Sequence, residues 1–189
     1  MLTDREILID ISKYLSFVLR HAPEAASIQL DSEGWADIDA LISGSTRNGY
    51  VLDEETIKAV VSSNEKKRFL LSEDGTKIRA AQGHSASFVN PTYPQCQPPE
   101  TLFHGTATRF ISSIMEQGLK PGARHYVHLS FDPNASKDVG KRYGKAVVVR
   151  VDAASMHQHG FIFYLAENGV WLTKHVPSKF LSIVPDPIL

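Results

Sequence analysis

The feature that most limits how this chain can fold is a proline-rich segment near its middle. Within residues 88–100, prolines lie at Pro91, Pro94, Pro98 and Pro99. Proline fixes φ at about −65° and cannot donate a backbone hydrogen bond, so helices and central strands are disfavoured here. We therefore predict an extended linker at 88–100 between two lobes, residues 1–87 and 101–189.

The N-terminal lobe shows the pattern of three helices followed by a β-hairpin. Thr3 and Glu6 match a capping box, and the helix that they begin should end just after Arg20 and His21, before Pro23. The residues expected on its buried face are Ile7, Ile11, Leu15, Val18 and Leu19. The other predicted elements are a helix at 35–42 closed by Gly44, a helix capped by Asp53 with Ile57, Val60 and Val61 on its apolar face, and strands at 68–71 and 77–80 joined by an Asp74-Gly75 turn. This order is typical of winged-helix modules, which often bind nucleic acid.

The C-terminal lobe mixes strands and helices, and the whole chain is predicted to be an α+β protein. Its predicted strands are 102–104 (ended by Gly105), 126–130, 146–151, 161–165, 170–173 and 181–184. Its predicted helices are one capped by Thr106 or Thr108, with the apolar face Phe110, Ile111, Ile114 and Met115 and an end at Gly118, and another at 137–143.

Composition excludes several classes of protein. With 42% hydrophobic residues among 189, the chain has enough apolar material for packed cores. The net charge of −1 argues against non-specific coating of nucleic acid. No apolar run approaches the roughly 20 residues of a membrane span, and the start lacks signal-peptide features. Because Cys96 is the only cysteine, no internal disulfide can form. A cytoplasmic monomer is the expectation.

Basic residues form four clusters that could together hold a phosphate. They are Arg20-His21, Lys66-Lys67-Arg68, Lys77 with Arg79, and Lys120 with Arg124-His125. If they converge, they would bind a dianionic phosphate monoester, because guanidinium groups bind phosphate oxygens bidentately. The simpler explanation for Lys66 and Lys67 is that they are solvated charges on the surface. Arg20 and His21 could be present only because cations are favourable at the C-terminal end of a helix dipole. Arg68 differs because it opens an apolar strand.

Several polar residues of the C-terminal lobe fall in or beside predicted strands, where rigid scaffolds carry sites. They are His104, Arg124, His125, His128 and Ser130. His125 and His128 point to opposite faces of a strand and lack carboxylate or cysteine companions, so no metal site is predicted. No nucleophile-elbow motif indicates Ser-His-Asp catalysis. For His104 and His128, a structural role as hydrogen-bonded histidines of the core is an alternative of equal weight to a role in a functional site.

Motifs along nearly the whole chain carry a family resemblance. They are LSFVLRHAP at 15–23, EGW at 33–35, KKRF at 66–69, IRAAQGHS at 78–85, LFHGT at 102–106, GLKPGARHYVHLS at 118–130, VGKRYGKAVVVRVDA at 139–153 and NGVWLTKHVP at 168–177. In this order they resemble the NAD-dependent RNA 2′-phosphotransferases, which remove an internal 2′-phosphate from spliced tRNA. Two departures are Phe103, where tyrosine is usual, and Ala81, where asparagine is usual.

The resemblance implies a winged-helix RNA lobe and an ADP-ribosyltransferase-like NAD lobe, with the active site between them. The phosphate-handling set of the family falls on Arg20, His21, Arg68 and Arg124. The NAD-lobe positions fall on His104, Gly105, Thr106, His128, Ser130 and Val170, with Gly105 and Thr106 expected near the nicotinamide end. RNA contacts are expected from Arg79, Gln82, His84 and Ser85.

The implied reaction transfers the RNA 2′-phosphate to NAD, as co-substrate, through an ADP-ribosylated RNA phosphate. The products are 2′-hydroxyl RNA, nicotinamide and ADP-ribose 1″,2″-cyclic phosphate. Transferases of this fold that modify proteins usually carry glutamate where Val170 stands. A phosphate monoester is already an anion and needs no such base. The open alternatives are an ADP-ribosyltransferase that caps terminal phosphates of RNA or DNA, and a non-catalytic RNA-binding protein.

Overall fold

The structure is a computed structural model that describes residues 4–64 and 66–185. Its fold is mixed, with helices and small sheets, in agreement with the predicted α+β class. The chain forms two compact units, Met1–Thr92 and Tyr93–Leu189. Within the described ranges, none of the helices combines the length and apolar character that a bilayer crossing requires.

The first unit packs three helices against a small antiparallel sheet. Its elements are α1 (Asp4–Val18), a 3-10 helix (Pro23–Ala26), β1 (Ala36–Asp37), α2 (Ile38–Arg47), α3 (Glu54–Ser62), β2 (Phe69–Leu71) and β3 (Lys77–Ala80). The strands lie in the order β1-β3-β2, with Ala36 opposite Ile78 and Leu70 opposite Arg79. Leu15, Leu41, Ile57 and Ile78 are completely buried and link the helices to the sheet.

The structure confirms the third helix and the hairpin, both of which were predicted from local sequence signals. The Asp53 carboxylate accepts a hydrogen bond from the Thr56 amide at 2.7 Å and so caps α3. In the turn between β2 and β3, Asp74 accepts from the Thr76 amide at 3.0 Å, and Gly75 has φ 73°. A left-handed φ of this kind suits glycine, as the Asp-Gly signal predicts.

The first two helices differ from the prediction in detail. Thr3, the predicted cap of α1, lies outside the described residues, and Ile7 is 42% exposed instead of buried. The helix predicted at 35–42 is present with shifted bounds, because α2 begins at Ile38 with Asp37 as its cap and runs to Arg47. Gly44 therefore lies inside α2. A Cβ there would approach the Ala26 carbonyl oxygen to 1.7 Å, so the glycine allows close packing and does not end the helix.

The segment predicted as an extended linker, 88–100, contacts residues of each unit. Val89 is completely buried in the core of the first unit. In the second unit, Tyr93 is 8% exposed and the Cys96 amide donates to the Phe163 carbonyl at 3.0 Å. The segment forms no regular helix or strand, as predicted, but apolar residues beside its prolines still contribute buried surface.

The second unit contains two antiparallel three-stranded sheets, with orders β4-β6-β9 and β5-β8-β7. Its elements are β4 (Thr101–Ala107), a 3-10 helix (Thr108–Phe110), α4 (Ile111–Gln117), β5 (Val127–Leu129), α5 (Pro133–Lys141), β6 (Ala146–Asp152), α6 (Ala153–Gln158), β7 (Phe163–Leu165), β8 (Trp171–Thr173), a 3-10 helix (Ser178–Phe180) and β9 (Leu181–Ile183). The two sheets meet where Phe103 and Ser130 exchange backbone hydrogen bonds of 2.7 and 2.9 Å.

The strands predicted for this unit are all present, but their ends are shifted. The predicted strand ends, caps and helix starts described next were wrong. Gly105 does not end a strand, since β4 continues to Ala107. No threonine caps α4, which follows a 3-10 turn, and Phe110 is 41% exposed. The helix predicted at 137–143 begins at Pro133, because the Asp132 side chain caps it and proline suits a first helical turn. Helix α6 was not predicted.

Candidate active site

The loop after β3, residues 81–85, ties together two of the predicted phosphate-binding arginines. The Ala81 amide donates to the Arg68 carbonyl at 2.9 Å, and the Ser85 amide donates to the Arg20 carbonyl at 3.0 Å. Gly83, at φ 93°, packs on the Arg20 side chain, since a Cβ there would lie 3.6 Å from Arg20 Cδ. The structure thus brings Arg20 and Arg68 to the two ends of one loop, with Gln82 half-buried inside it.

His21 is exposed, yet its ring is oriented by the same loop. Its Nδ1 lies 2.9 Å from Ser85 Oγ. That serine also holds the adjacent backbone through the Arg20 carbonyl. Ser85, which the resemblance assigns to RNA contact, therefore positions His21 in this structure. A histidine with one ring nitrogen engaged presents the other in a defined direction.

Asn64 is a functional candidate that the sequence interpretation missed. Its Oδ1 accepts a hydrogen bond from Arg68 Nη1 at 3.1 Å. Its Nδ2 donates in turn to Ser12 Oγ, on α1, at 3.3 Å. Asn64 and Arg68 are four residues apart in the turn before β2, where Lys67 has φ 42°. The spacing to Arg68 is visible in the sequence, but the link to Ser12 exists only in the folded unit.

Arg79 and His84, both predicted to contact RNA, have contacts or burial within the first unit. The Arg79 guanidinium stacks over the Trp35 ring at 4.7 Å and lies 3.6 Å from the Glu33 carboxylate. Glu33 also accepts from the Thr92 amide at 3.0 Å. His84 is 3% exposed. These contacts fix the strand β3 against its surroundings, and direct RNA contact by either residue stays a prediction.

In the second unit, His104 is held in a defined protonation state. It lies on β4, and its Nδ1 is 3.0 Å from the His128 carbonyl oxygen. A carbonyl only accepts, so Nδ1 carries the proton. Burial lowers the pKa of His104 below its ordinary value of 6.5, and the charge of Arg124 lowers it further, although the hydrogen bond to His128 opposes both. The neutral ring therefore has Nε2 as a hydrogen-bond acceptor.

Arg124 and His128 join His104 in one cluster. Arg124 Nη1 lies 3.4 Å from His128 Nδ1. Because a guanidinium can only donate, Nδ1 of His128 must be the acceptor in this contact. His128 stands on the half-exposed face of β5, between buried Val127 and Leu129. Arg124, which precedes the strand, is exposed.

Gly105 and Thr106 follow His104 on β4 and are both buried. A Cβ at Gly105 would lie 1.6 Å from the Ser136 carbonyl oxygen of α5. Packing of α5 on β4 therefore explains this glycine by itself, and an approach of nicotinamide to its backbone stays a prediction. Thr106 is 5% exposed.

Ser130 and Val170 flank neighbouring strands of the sheet that carries His128: Ser130 follows β5, and Val170 precedes β8. Ser130 Oγ accepts from the Asp132 amide at 3.0 Å and so shapes the turn into α5. The register of β5 and β8 pairs Leu129 with Trp171, which brings Val170 level with Ser130. Val170 packs in a small apolar cluster with Tyr93, Tyr126, Tyr164, Ala166 and Leu172.

The described residues contain no group of three or more His, Cys, Asp or Glu side chains that could hold a metal ion.

Comparison with known proteins gives one consistent result. The model of the RNA 2′-phosphotransferase, Tpt1 / KptA family matches residues 6–175. A probable RNA 2′-phosphotransferase of Burkholderia lata is 56% identical over 177 residues, covering 94% of this chain and 91% of that protein. Another, of Pseudomonas aeruginosa, is 55% identical over 178 residues, covering 94% and 98%. A third, of Agrobacterium fabrum, is 53% identical over 175 residues, covering 93% and 94%. Both the match of the family model and these identities extend over nearly the whole chain, and the chain belongs to the RNA 2′-phosphotransferase family.

Proposed function

We propose that this protein removes an internal 2′-phosphate from RNA, spliced tRNA being one candidate, by transferring the phosphate to NAD. The observation that carries the proposal is the family match over residues 6–175, within which the chain retains Arg20, His21, Arg68 and Arg124. Phosphate monoesters are bound best by guanidinium groups in fixed positions. The loop 81–85 supports this by fixing the backbones of Arg20 and Arg68.

At the level of fold, we propose that the first unit is a winged-helix RNA-binding lobe. The order of three helices followed by the β2–β3 hairpin supports this assignment. We propose that the second unit is an ADP-ribosyltransferase-like lobe that binds NAD. Its two antiparallel sheets, which meet at Phe103 and Ser130 beside His104, support that assignment.

The chemistry of His104 fits a sugar of NAD. With Nδ1 donating to the His128 carbonyl and the pKa lowered by burial, the neutral ring offers Nε2 as an acceptor for a ribose hydroxyl. A charged imidazolium could not accept that hydrogen bond. It would also repel the positive charge that develops on the ribose as nicotinamide leaves.

In the first step, an oxygen of the RNA 2′-phosphate forms a bond to the anomeric carbon of the nicotinamide ribose. The glycosidic bond breaks, and nicotinamide leaves with its electron pair. In the second step, the hydroxyl next to that anomeric carbon, on the same ribose of the former NAD, attacks phosphorus. The bond from phosphorus to the RNA 2′-oxygen breaks, and that oxygen gains a proton. We assign Arg20, Arg68 and Arg124 to binding the phosphate, and His21 to positioning or proton transfer.

The residue at position 170 favours phosphate over protein as the acceptor. Val170 lies in an apolar cluster and offers no base, while Glu167 is exposed in the preceding turn. A protein side chain as acceptor would need deprotonation or orientation by such a base, whereas a phosphate dianion needs positioning and partial neutralisation of its charge.

The test is an incubation of the protein with an oligonucleotide that carries one internal 2′-phosphate, with and without NAD. We expect removal of the phosphate only with NAD, one nicotinamide released for each phosphate lost, and no effect of EDTA. Release of inorganic phosphate would instead indicate a hydrolase and contradict the proposal. An oligonucleotide with only a terminal phosphate is the control, because stable ADP-ribosylation of that end would identify a capping transferase.

A further inference from the structure

An exposed phenylalanine lies on the first unit beside the predicted phosphate-binding residues. Phe17, near the end of α1, has 49% of its surface exposed. Tyr50, which is exposed to a similar degree, is accounted for because it stacks on Tyr14 with ring centroids 3.7 Å apart. A single exposed apolar side chain is common in proteins, so its position is what gives Phe17 significance.

The position of Phe17 relative to His21 is fixed by the backbone. The His21 amide donates to the Phe17 carbonyl at 2.9 Å, which is the i to i+4 spacing of an α-helix. Residues with this spacing lie on the same face, about one helical turn or 5.4 Å apart along the axis. His21 is exposed as well, and Ser85 orients its ring. The Phe17 and His21 side chains are therefore both exposed on the same side of the chain at the end of α1, and the two mark one surface.

The dimensions of this surface suit a nucleotide chain. Successive nucleotides in a strand rise about 3.4 Å, so one helical turn reaches from a phosphorylated nucleotide to a base next to it. Proteins that bind unpaired RNA commonly stack its bases on aromatic side chains. Arg20 directly precedes His21 in the sequence and would supply positive charge for the phosphate.

We propose that Phe17 is a stacking surface for a single-stranded RNA base next to the 2′-phosphorylated nucleotide. This inference rests on the proposed function, because it takes the phosphate to lie at Arg20 and His21. It adds a sequence-tolerant base contact to recognition of the phosphate. The 2′-phosphate would then be bound most tightly where the neighbouring base is unpaired and can reach the ring.

The test measures binding of short 2′-phosphorylated oligonucleotides to the full chain without NAD, at one fixed salt concentration. One oligonucleotide has all its bases, and two others lack the base on the 5′ or the 3′ side of the phosphorylated nucleotide. Phe17→Ala should weaken binding of the complete oligonucleotide about 5- to 150-fold, the range for loss of one stacked base. On the oligonucleotide that lacks the stacked base, Phe17→Ala and the unaltered protein should bind equally.

Two variants separate stacking from a change in the helix. Phe17→Trp should retain tight binding, whereas Phe17→Leu, which keeps an apolar side chain but no ring, should lose most of it. Ile9→Ala, which removes another exposed residue of α1 at 46% exposure, should bind as the unaltered protein does. Equal affinity of Phe17→Ala and the unaltered protein for the complete oligonucleotide, or an equal loss on all three, would overturn the inference.

The unaltered protein, incubated with NAD and the complete oligonucleotide, tests the proposed function separately. If nicotinamide is released but the Phe17 variants bind normally, only the stacking surface is wrong. If no nicotinamide is released while binding still depends on Phe17 and the neighbouring base, the reaction is wrong and the stacking surface stands.

Discussion

Arg68 is held on both its backbone and its side chain. Its carbonyl accepts from Ala81, and its guanidinium donates to Asn64, which is itself anchored to Ser12. A guanidinium oriented in this way loses less rotamer freedom when it binds a phosphate. The chain of contacts also couples the middle of α1, at Ser12, to the start of β2. In the reaction that we propose, Arg68 would therefore meet the phosphate with its guanidinium already oriented.

Replacing Arg68 should affect the two proposed steps unequally. In the first step the developing positive charge is on the ribose, so an arginine on the phosphate acts mainly by positioning. In the second step negative charge builds on the oxygens around phosphorus, where one lost donor costs roughly 2.7–4 kcal/mol. In a time course, Arg68→Ala should accumulate ADP-ribosylated RNA before product appears. Equal loss of both steps, with no intermediate at any time, would show that this role is wrong.

Two further variants refine the role of Arg68. Arg68→Lys should restore activity only partly, because an ammonium cannot replace a bidentate fork. Asn64→Ala should reproduce a weaker form of the same intermediate accumulation, and adding it to Arg68→Ala should change nothing further. Ser63→Ala, at the residue before Asn64 that caps the C-terminal end of α3, is the control and should behave as the unaltered protein does.

His104 should make stability depend on pH in a defined window. Its folded pKa lies below the ordinary 6.5, so the unfolded chain binds the proton first as pH falls. The stabilisation is therefore complete above about pH 6.5 and is lost as pH falls toward the folded pKa. Urea unfolding between pH 7.5 and 5 should show a steeper loss for the unaltered protein than for His104→Asn. Asp74, whose pKa is lowered to about 2, titrates below this window. Identical slopes for the two proteins would contradict the assignment.

At the scale of elements, close approach of α5 to β4 determines the framework around His104. Gly105 on β4 faces the Ser136 carbonyl, and Gly140 on α5 faces β4, where a Cβ would lie 2.5 Å from the Thr106 carbonyl oxygen. The helix therefore lies almost directly on the strand backbone. Because little side-chain volume separates α5 from β4, a small displacement of α5 would also move His104 on β4.

Gly105→Ala should destabilise the second unit severely. The added Cβ would meet a backbone oxygen at 1.6 Å, and a helix backbone cannot move aside as a flexible side chain can. We expect a loss at or above the upper end of the 1–3 kcal/mol typical of overpacking, measured by urea unfolding. Gly160→Ala is the control, because nothing lies within 4 Å of that site and only its φ of 85° opposes a side chain. A loss for Gly105→Ala no greater than for Gly160→Ala would contradict this packing.

Elements were predictable where their cause is local. The Asp53 cap and the Asp74-Gly75 turn depend on residues a few positions apart, so their patterns located α3 and the hairpin. Gly44 and Gly105 misled the prediction, because each is required by a distant carbonyl and not by a chain end. In the same way, the sequence marked Arg68 as a held residue but did not show Asn64 and Ser12 as what holds it.

At the scale of the whole molecule, the net charge of −1 limits how RNA can be bound. With few phosphate contacts, the logarithm of affinity should fall gently with the logarithm of salt concentration. Affinity should depend on the 2′-phosphate more than on the length of the oligonucleotide. Titrations at several salt concentrations, with matched oligonucleotides of two lengths, test this expectation. Equal binding with and without the 2′-phosphate, or a steep slope that grows with length, would contradict it.

The most direct test of the reaction follows the phosphorus atom itself. The protein is given RNA whose internal 2′-phosphate carries a radioactive label, together with unlabelled NAD, and the labelled products are separated over time. The label should pass first into an RNA-attached ADP-ribose phosphate and then into ADP-ribose 1″,2″-cyclic phosphate, leaving unlabelled 2′-hydroxyl RNA. Label that appears in inorganic phosphate, or that stays on the RNA while NAD is present, would contradict transfer to NAD.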